Sequence, residues 1–548
     1  MINSRYGQTQ KRWQISRWII CLIVASCVIP LLYPPIAPLA DLPGHLGRYT
    51  IQQEVDTSPY LRQWYAFQWH LIGNIGVDAP VAILAPWLGV EVAAKIVVMS
   101  IPATAAAGYL WIAHEAHGRI PPTALFAVPL VYNYPFLFGF VNFSISMAWM
   151  ALAYALWLRL GRQSAIMIRS VSFIIIGPVL WTMHVYGWAT LCIVCVASEI
   201  AKRLTWTRAD LLPSAILRTL AGAMLVCLPL AVPLAMMALW REGRSLGLEG
   251  WFDLEYKAKW IVGLFRDRWI YFDLVFAVVF YALFALPLIF RRYFTVNPVV
   301  LSAGCGLGVV ALLLPRGMLD SWFADVRLIP YAVVLALLAI DLRGNWPACW
   351  IRAFALAGIG FTVIRLIGLT ASTAIYSKAY TAELAALDHI EKGGRIAVFT
   401  KPPCGKSWQH PRLAKLPGLA ITRKHAFTND QYAVEGGRGL EVIYKRANPF
   451  LREPSSQVTS NPDCGGSHLL TFDQALQRMP WSAFDYLWLI RMPESSWPVS
   501  NPHLHELWRK ESSILYRIVP MRDRAKTNKS IEWPASGDLS ARNQISAK

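Results

Sequence analysis

The sequence predicts a polytopic α-helical membrane protein of about eleven transmembrane helices, followed by a C-terminal extracytoplasmic α/β domain. Three observations predict it. Apolar residues make up 55% of the chain and charged residues only 16%, with 24 Trp, whereas a soluble chain carries closer to about 25% charge. The apolar residues come in blocks of the length that crosses a hydrocarbon core about 30 Å thick. After residue 370 the blocks stop, and short apolar runs alternate with polar segments.

Lipid offers no hydrogen-bond partners, so each long block is expected to be a helix that satisfies its own backbone. The expected spans are 17–34, 92–113, 123–140, 142–160, 167–183, 185–201, 211–240, 270–290, 296–315, 327–342 and 347–370. The stretch 79–90 (APVAILAPWLGV) is short and Pro-rich, and reads as re-entrant or interfacial. Pro229 and Pro233 are expected to kink or tilt the long block 211–240. The first block reads as an uncleaved span, because Pro30, Pro34 and Pro35 stand where a signal-peptide cleavage site would lie. No repeat of fixed period is present.

Positive charge sets the expected orientation. With residues 1–16 as a cytoplasmic tail, Lys11/Arg12/Arg17, Arg119, Arg159/Arg162/Arg169, Lys202/Arg203/Arg208, Arg291/Arg292 and Arg343 all fall on the cytoplasmic side. The outer side then receives the first loop 35–91, the turns near 133–142 and 183–187, the loops 241–268 and 316–326, and everything after 370. Loop 241–268 departs from the bias through Arg241, Arg244, Lys257, Lys259, Arg266 and Arg268. It reads either as a solvated loop balanced by Glu242, Asp253, Glu255 and Asp267, or as a site for an anionic group. The net charge of +19 is largely that of the cytoplasmic loops. No nucleic-acid motif accompanies it, so it points to anionic lipid headgroups or an acidic glycan and not to nucleic acid.

In the soluble domain, expected over 371–522, RIAVFT (395–400), SHLLTF (467–472), DYLWLIR (485–491) and ILYRIVP (514–520) read as strands. IYSKAYTAELAALDHI (376–391) has helical spacing and leads into them. From Asp523 the chain has almost no apolar residues and is expected to be disordered. Seven cysteines, Cys21, Cys27, Cys192, Cys195, Cys227, Cys305 and Cys349, lie in or at apolar spans. Cys404 and Cys464 stand alone in the soluble domain, where an oxidising compartment would pair them, so a Cys404–Cys464 disulfide is expected. Cys192 and Cys195 have redox-motif spacing but sit in mid-span, where they read as small apolar packing residues.

The remaining polar residues gather on the outer side. The first loop opens with Asp41-Leu42-Pro43-Gly44-His45, and Arg48 follows. If Asp41 caps a helix, Pro43 is tolerated in its first turn. Leu42, Leu46 and Tyr49 then make an apolar stripe, with His45, Arg48 and Gln52 on the polar face of an interfacial helix. His184, in Trp181-Thr182-Met183-His184-Val185-Tyr186, marks another outer span end, where it reads as a hydrogen-bonding partner or a site residue. Asn133-Tyr134-Pro135-Phe136 and Gly139-Phe140-Val141-Asn142-Phe143 form an aromatic turn between spans. Arg316, Asp320, Asp325 and Arg327 place carboxylates and guanidiniums at one rim, where Asp325 and Arg327 also read as a local ion pair. An enzyme acting on a lipid-linked substrate needs a carboxylate as general base for an acceptor hydroxyl. It also needs cations for a departing phosphate, and an apolar groove for the tail.

The Asp after the first span, the many-span body and the trailing α/β domain resemble the GT-C class of membrane glycosyltransferases, which includes protein mannosyltransferases and lipid A aminoarabinose transferases. DLPGHLGRY, YNYPFLFGFVNFSISMAW and SWFADVRLIPYAVVLALL are similar to a group of bacterial GT-C-like proteins. The resemblance covers most of 17–370. It implies a polyprenyl-phosphate sugar as donor, an envelope glycan, lipid or protein as acceptor, and a multi-pass location in the bacterial inner membrane. It puts the essential acidic residue of the first outer loop at Asp41. Many members carry a second acid beside the first, but here Leu42 follows Asp41 and the next acids are Glu54 and Asp56. That departure weighs against a divalent metal, and His45 or Arg48 would serve where others use a cation. The expected enzyme is an inverting sugar transferase. Asp41 is its base, Arg48 and Arg327 act on the phosphate side, and His45 and His184 orient substrate. Two other classes fit the composition: a transporter or flippase of lipid-linked substrates, and a non-catalytic polysaccharide assembly protein. Charges at midplane depth and repeat symmetry would mark the first; tolerance of Asp41 loss would mark the second.

Overall fold

The computed structural model describes residues 15–204, 212–239, 248–318, 321–343, 346–401, 407–433, 439–459, 469–499 and 501–519. The chain begins with α1 (Arg17–Ser26) and a further turn, Ile29–Leu32. Helix α2 (Leu42–Glu54), strand β1 (Tyr65–Phe67), α3 (Asp78–Leu88) and α4 (Val90–His117) follow. Only Gly89, at φ +75°, separates α3 from α4, a backbone conformation that a residue with a Cβ rarely adopts. The body continues through α5 (Val141–Arg162), α6 (Ile166–Met183), α7 (Val185–Arg203) and α8 (Pro213–Cys227). It ends with α9 (Leu254–Val262), α10 (Ile270–Ile289), α11 (Pro298–Leu313), α12 (Ile329–Leu338) and α13 (Ala348–Leu384).

Among the described residues, seven helices are long and apolar enough to cross a membrane: α4, α5, α6, α7, Pro213–Ala238, α10 and Ala348–His389. Four apolar helices are shorter: Arg17–Leu32, α3, α11 and Val326–Leu338. The chain is a polytopic membrane protein. Val171, Ile175, Leu217, Leu225, Val275 and Val278 project outward from α6, α8 and α10, as lipid-facing side chains do.

One expected span is corrected. Residues 123–140 form no continuous α-helix but a 3-10 segment, Pro122–Tyr132, and a short helix, Tyr134–Phe138. Pro129 and Pro135, both inside the expected span, each remove a backbone donor that an α-helix would use. The segment is buried throughout, enclosed by α4, α12 and α13. The block 211–240 breaks as its prolines require, with a 3-10 turn at Leu228–Ala231 between two helices.

The described basic clusters share one end of the bundle. Arg119 donates to Asp341 at 3.1 Å and Arg162 pairs with Glu115 at 2.6 Å. Glu199 gathers Arg169, Lys202 and Arg203. Arg343 donates to the Phe294 carbonyl at 2.8 Å, across a ribbon formed by Phe294–Val296 and Ile340–Leu342. Helix α5 runs from this end, at Arg162, to the end that carries α2.

Helix α13 is 37 residues long in all and continues past the bundle, so the expected domain boundary at 370 falls inside it. The soluble domain carries β2 (Arg395–Thr400), α14 (Gly418–Lys424), β3 (Phe427–Thr428), β4 (Leu440–Val442), β5 (Tyr486–Ile490), β6 (Leu504–Lys510) and β7 (Ser513–Ile518). Five strands form one sheet in the order β6-β7-β5-β2-β3, antiparallel across β6, β7 and β5 and parallel across β5, β2 and β3. Of SHLLTF, Leu470–Thr471 pairs with Val458–Thr459, and Ser467 and His468 lie outside the described residues. So do Cys404 and Cys464 with their expected disulfide, the basic residues Arg208, Arg241 and Arg244, Asp320, and the tail from Asp523.

The first loop is part of this domain's structure. Strand β1 pairs antiparallel with β4, Tyr65 opposite Val442. Helix α2 lies on α14, where the Thr50 and Thr422 hydroxyls meet at 3.1 Å. A Cβ on Gly47 would come within 2.8 Å of the Gly418 carbonyl. His425, which ends α14, contacts Ser58 at 2.9 Å and Glu54 at 3.0 Å.

Candidate active site

Helix α2 places the first candidates. Pro43 occupies its first turn, where a missing N–H costs nothing, and Leu42, Leu46 and Tyr49 are buried as the stripe requires. Asp41 stands at the cap position, yet its side chain makes no capping hydrogen bond. Its backbone N–H donates to the Phe138 carbonyl at 2.8 Å. Capping therefore does not explain why a carboxylate is here. Tyr380 and Lys415 stand close enough to feel its charge. One turn on, His45 stacks against Tyr49 with ring centroids 6.1 Å apart.

Arg48 and Gln52 are expected on a polar face turned toward a cavity or water, and water is not what they meet. Both turn inward to Asp78, a carboxylate 2% exposed at the start of α3. Arg48 Nη2 lies 2.7 Å from Asp78 Oδ1, and Gln52 Nε2 donates to the same oxygen at 2.9 Å. Asn142 Nδ2 donates to Asp78 Oδ2 at 2.8 Å, while Asn142 Oδ1 accepts from Val77 N–H at 2.7 Å. One buried carboxylate thus ties α2, α3 and α5 together. The Arg48 Nε–H is buried without a hydrogen-bond acceptor among the described residues.

The aromatic turn before α5 gathers the distant candidates. The Phe138 ring packs on Phe140, Trp260, Phe323 and His410. Arg327 lies over the Phe140 ring, 3.9 Å from its centroid. Phe143 meets the edge of His184 at 5.7 Å. His184 begins α7 and accepts the Tyr186 N–H at Nδ1, 3.2 Å away. Asp41, Arg327 and His184 are therefore arranged around residues 138–143 at one end of the bundle. The reading of Asp325 and Arg327 as a local ion pair is corrected: Asp325 pairs with Lys257 at 3.2 Å. Asp325 is 0% exposed, its Oδ1 accepts the Val326 N–H, and Lys257 also donates to the carbonyls of Ala311, Leu312 and Leu314. This is an internal brace.

Reading loop 241–268 as uniformly solvated also fails. Glu255 and Lys259 form an exposed pair at 2.7 Å, as such a loop would. Lys257 and Asp267 are instead buried, and Asp267 pairs with Arg412. Around them lies a charge cluster that the linear sequence does not reveal, because its paired members are 92 to 145 residues apart. Arg365 pairs with Asp273, which also accepts from Trp408 Nε1 at 2.6 Å. Arg266 donates to the carbonyls of Trp408 and Ser407, and its own carbonyl contacts His410 Nε2 at 3.0 Å. Burial, reinforced by Arg412 and Arg266, pushes the His410 pKa down to about 3. Burial raises the Asp267 pKa, but Arg412, Arg365 and His410 outweigh it and hold the carboxyl below its ordinary range. Arg412 is 1% exposed and stacks on Tyr376, and its Nε and Nη1 find no acceptor among the described residues. Guanidiniums outnumber carboxylates here.

Lys415 continues the cluster toward Asp41, pairing with Glu453 at 2.7 Å and Asp430 at 3.1 Å. Burial pulls its pKa down, but Asp430, Glu453 and Asp41 together hold it above the ordinary lysine range. Tyr380 donates to the carbonyls of Arg412 and Leu39, at 2.6 and 3.3 Å. It also lines a cavity of about 390 Å³ with Pro35, Ile36, Ser377, Thr381, Leu384, Asp388 and Arg423. That cavity opens between the chain just before Asp41 and the upper part of α13. Among the described residues no group of three or more His, Cys, Asp or Glu is placed to hold a metal ion.

The solved structures similar to the chain include two that cover most of it. Both are crystal structures of ArnT from Cupriavidus metallidurans, one in the apo state and one bound to undecaprenyl phosphate. Each is 12% identical over 91% of this chain, covering 97% and 98% of the ArnT chains, with TM-scores of 0.44 and 0.45. No family model matches the chain, and no curated protein matches it.

Proposed function

We propose that this protein is an inverting glycosyltransferase. It moves a sugar from a polyprenyl-phosphate donor to an envelope glycan, lipid or protein acceptor, at the outer face of the bacterial inner membrane. In this reading residues 1–16 are cytoplasmic and the soluble domain is extracytoplasmic. The sharing of one bundle end by the described basic clusters supports that orientation. The observation that carries the reading is the carboxylate of Asp41. It does not cap its own helix, and it stands at the junction of first loop, bundle and soluble domain beside a buried cluster rich in cations.

The chemistry follows from that placement. Asp41 takes the proton of the acceptor hydroxyl as its oxygen attacks the anomeric carbon. The bond from that carbon to the phosphate oxygen breaks, and polyprenyl phosphate leaves on the opposite face, inverting the centre. Charge grows on the phosphate as it leaves. Arg48, through the N–H that Asp78 does not use, and Arg327 offset that charge in a site drier than water. His45 and His184 orient the reacting groups. The cavity beside Tyr380, with Ile36 and Leu384 in its wall, provides an apolar path for the lipid near its phosphate.

Membranes from a deletion strain, supplied with polyprenyl-phosphate sugars and a membrane extract, test this reading. Asp41→Asn removes the base with little change in volume, so transfer should fall by at least about a hundredfold while protein abundance is unchanged. Full activity in that variant would remove the mechanism.

A further inference from the structure

A connection between two spans reads as belonging to water, but α9, in the loop 241–268, carries an apolar stripe that faces away from the protein. We propose that α9 lies within the leaflet at the Asp41 end of the bundle, with Leu254, Ala258, Ile261 and Val262 against lipid acyl chains. The inference stands on the geometry of the bundle and is independent of the transferase reading.

At about 100° per residue, α9 has three faces. Lys257 and Trp260 are buried toward the bundle, where Trp260 packs on Tyr134, Phe138 and Phe323. Leu254, Ile261 and Val262 stand 62%, 37% and 54% exposed, with Ala258 exposed on the same stripe. Glu255 and Lys259, paired at 2.7 Å, form a third stripe beside it. Protein, hydrocarbon and headgroups are the three surroundings of a helix that lies in a membrane interface. The apolar stripe is also continuous with a surface that already faces lipid. Trp251 and Phe252 extend it in one direction, and Trp269, Ile270 and Val275 carry it onto the exposed side of α10.

Two contacts set the depth. Tyr281 donates its hydroxyl to the Ile261 carbonyl at 2.7 Å, and Tyr281 lies about 16 Å along α10 from Ile270 at 1.5 Å per residue. A tyrosine on a helix leans back toward the helix start, and even so the end of α9 falls well below the start of α10. On its other side α9 meets α11, which starts beside the ribbon at the basic end of the bundle. Helix α11 has 16 residues, about 24 Å of helix against a core of about 30 Å. It therefore ends inside the leaflet, where its last carbonyls have no water to accept from. Lys257 donates to Ala311, Leu312 and Leu314 there, at 2.8 to 2.9 Å, and Asp325 balances its charge at 3.2 Å. Carbonyls in water would need no buried lysine. Helix α9 thus fills the space that a short span leaves beneath the membrane surface.

Photocrosslinking in nanodiscs tests the proposal. The full-length protein, with p-benzoylphenylalanine in place of Leu254 or Val262, is reconstituted in palmitoyl-oleoyl phosphatidylglycerol, irradiated, digested and read by mass spectrometry. Both positions are exposed, so Tm should match the parent. The same label in place of Val275 reports a lipid-facing site, and in place of Lys510 a site on the edge of the soluble sheet. The expected result is a phospholipid adduct bonded on the acyl chain at Leu254 and Val262, in yields within about threefold of Val275 and at least about tenfold above Lys510. The proposal is overturned if both yields match that at Lys510, or if adducts form on headgroups alone. It is equally overturned if the label joins another part of this chain, residues 240–247 included, in place of lipid.

Discussion

Asp78 was not singled out by the sequence, yet it holds more of the site together than any residue that was. Both of its oxygens are engaged, and its partners come from α2 and α5. Removing one member of a buried ion pair leaves the other charge uncompensated, at a cost of about 3–5 kcal/mol. Asp78→Ala should therefore lower thermal stability in detergent by that order, and the double variant Arg48→Met/Asp78→Leu should recover part of the loss. Equal destabilisation by both would show that the pair is not what matters. His410 gives a prediction in pH. Its folded pKa of about 3 lies below the ordinary histidine value of 6.5, so between these values the unfolded chain binds a proton that the folded one does not. Stability is then full above pH 6.5 and falls as pH drops toward 3, by up to about 1.4 kcal/mol per unit. His410→Asn should flatten the Tm profile between pH 6.5 and 4.5. The position of Asp41 could be read locally, because one apolar stripe and one proline define its helix. Asp78, Asp267 and Arg412 could not, since what defines them is a partner far along the chain and enclosure that composition does not report.

The glycines of DLPGHLGRY have separable duties. Gly44 has room, since a Cβ there would meet only the Lys415 side chain at an ordinary 3.7 Å. Gly47 and Gly418 lie where α2 and α14 approach backbone to backbone, and a Cβ on Gly418 would overlap the Pro43 carbonyl. A backbone atom cannot swing aside as a flexible side chain can. Gly418→Ala should cost about 1–3 kcal/mol and speed proteolytic cleavage between the soluble domain and the bundle, whereas Gly44→Ala should do neither. Equal protease resistance in all three proteins would contradict this docking. The long apolar helices were legible because each closes its own hydrogen bonds, and α5, α6, α7 and α10 lie within a few residues of their expected limits. Pro122–Tyr132 was not legible as a 3-10 segment, because length and hydropathy match a span while proline spacing alone separates the two. Strand β6 (LHELWRK) escaped notice for the opposite reason: it is charged and half-exposed, and is held by its pairing with β7.

Taken together, the molecule is a helical bundle whose first loop is built into a soluble domain formed mostly by the far end of the chain. Strand β1 completes a ribbon with β4, α2 seats on α14, and α13 rises unbroken from one part to the other. This arrangement allows a residue placed just after the first apolar segment to share a buried charge network with residues some four hundred positions later. In the proposed function this junction handles a lipid phosphate. An experimental density map of the purified protein with added polyprenyl phosphate tests it most directly. Phosphate density is expected at the Asp41 end of the bundle, in contact with Arg48, Arg327 or the Arg412 cluster. Density at the opposite end instead, among Arg119, Arg162 and Arg169, would contradict it.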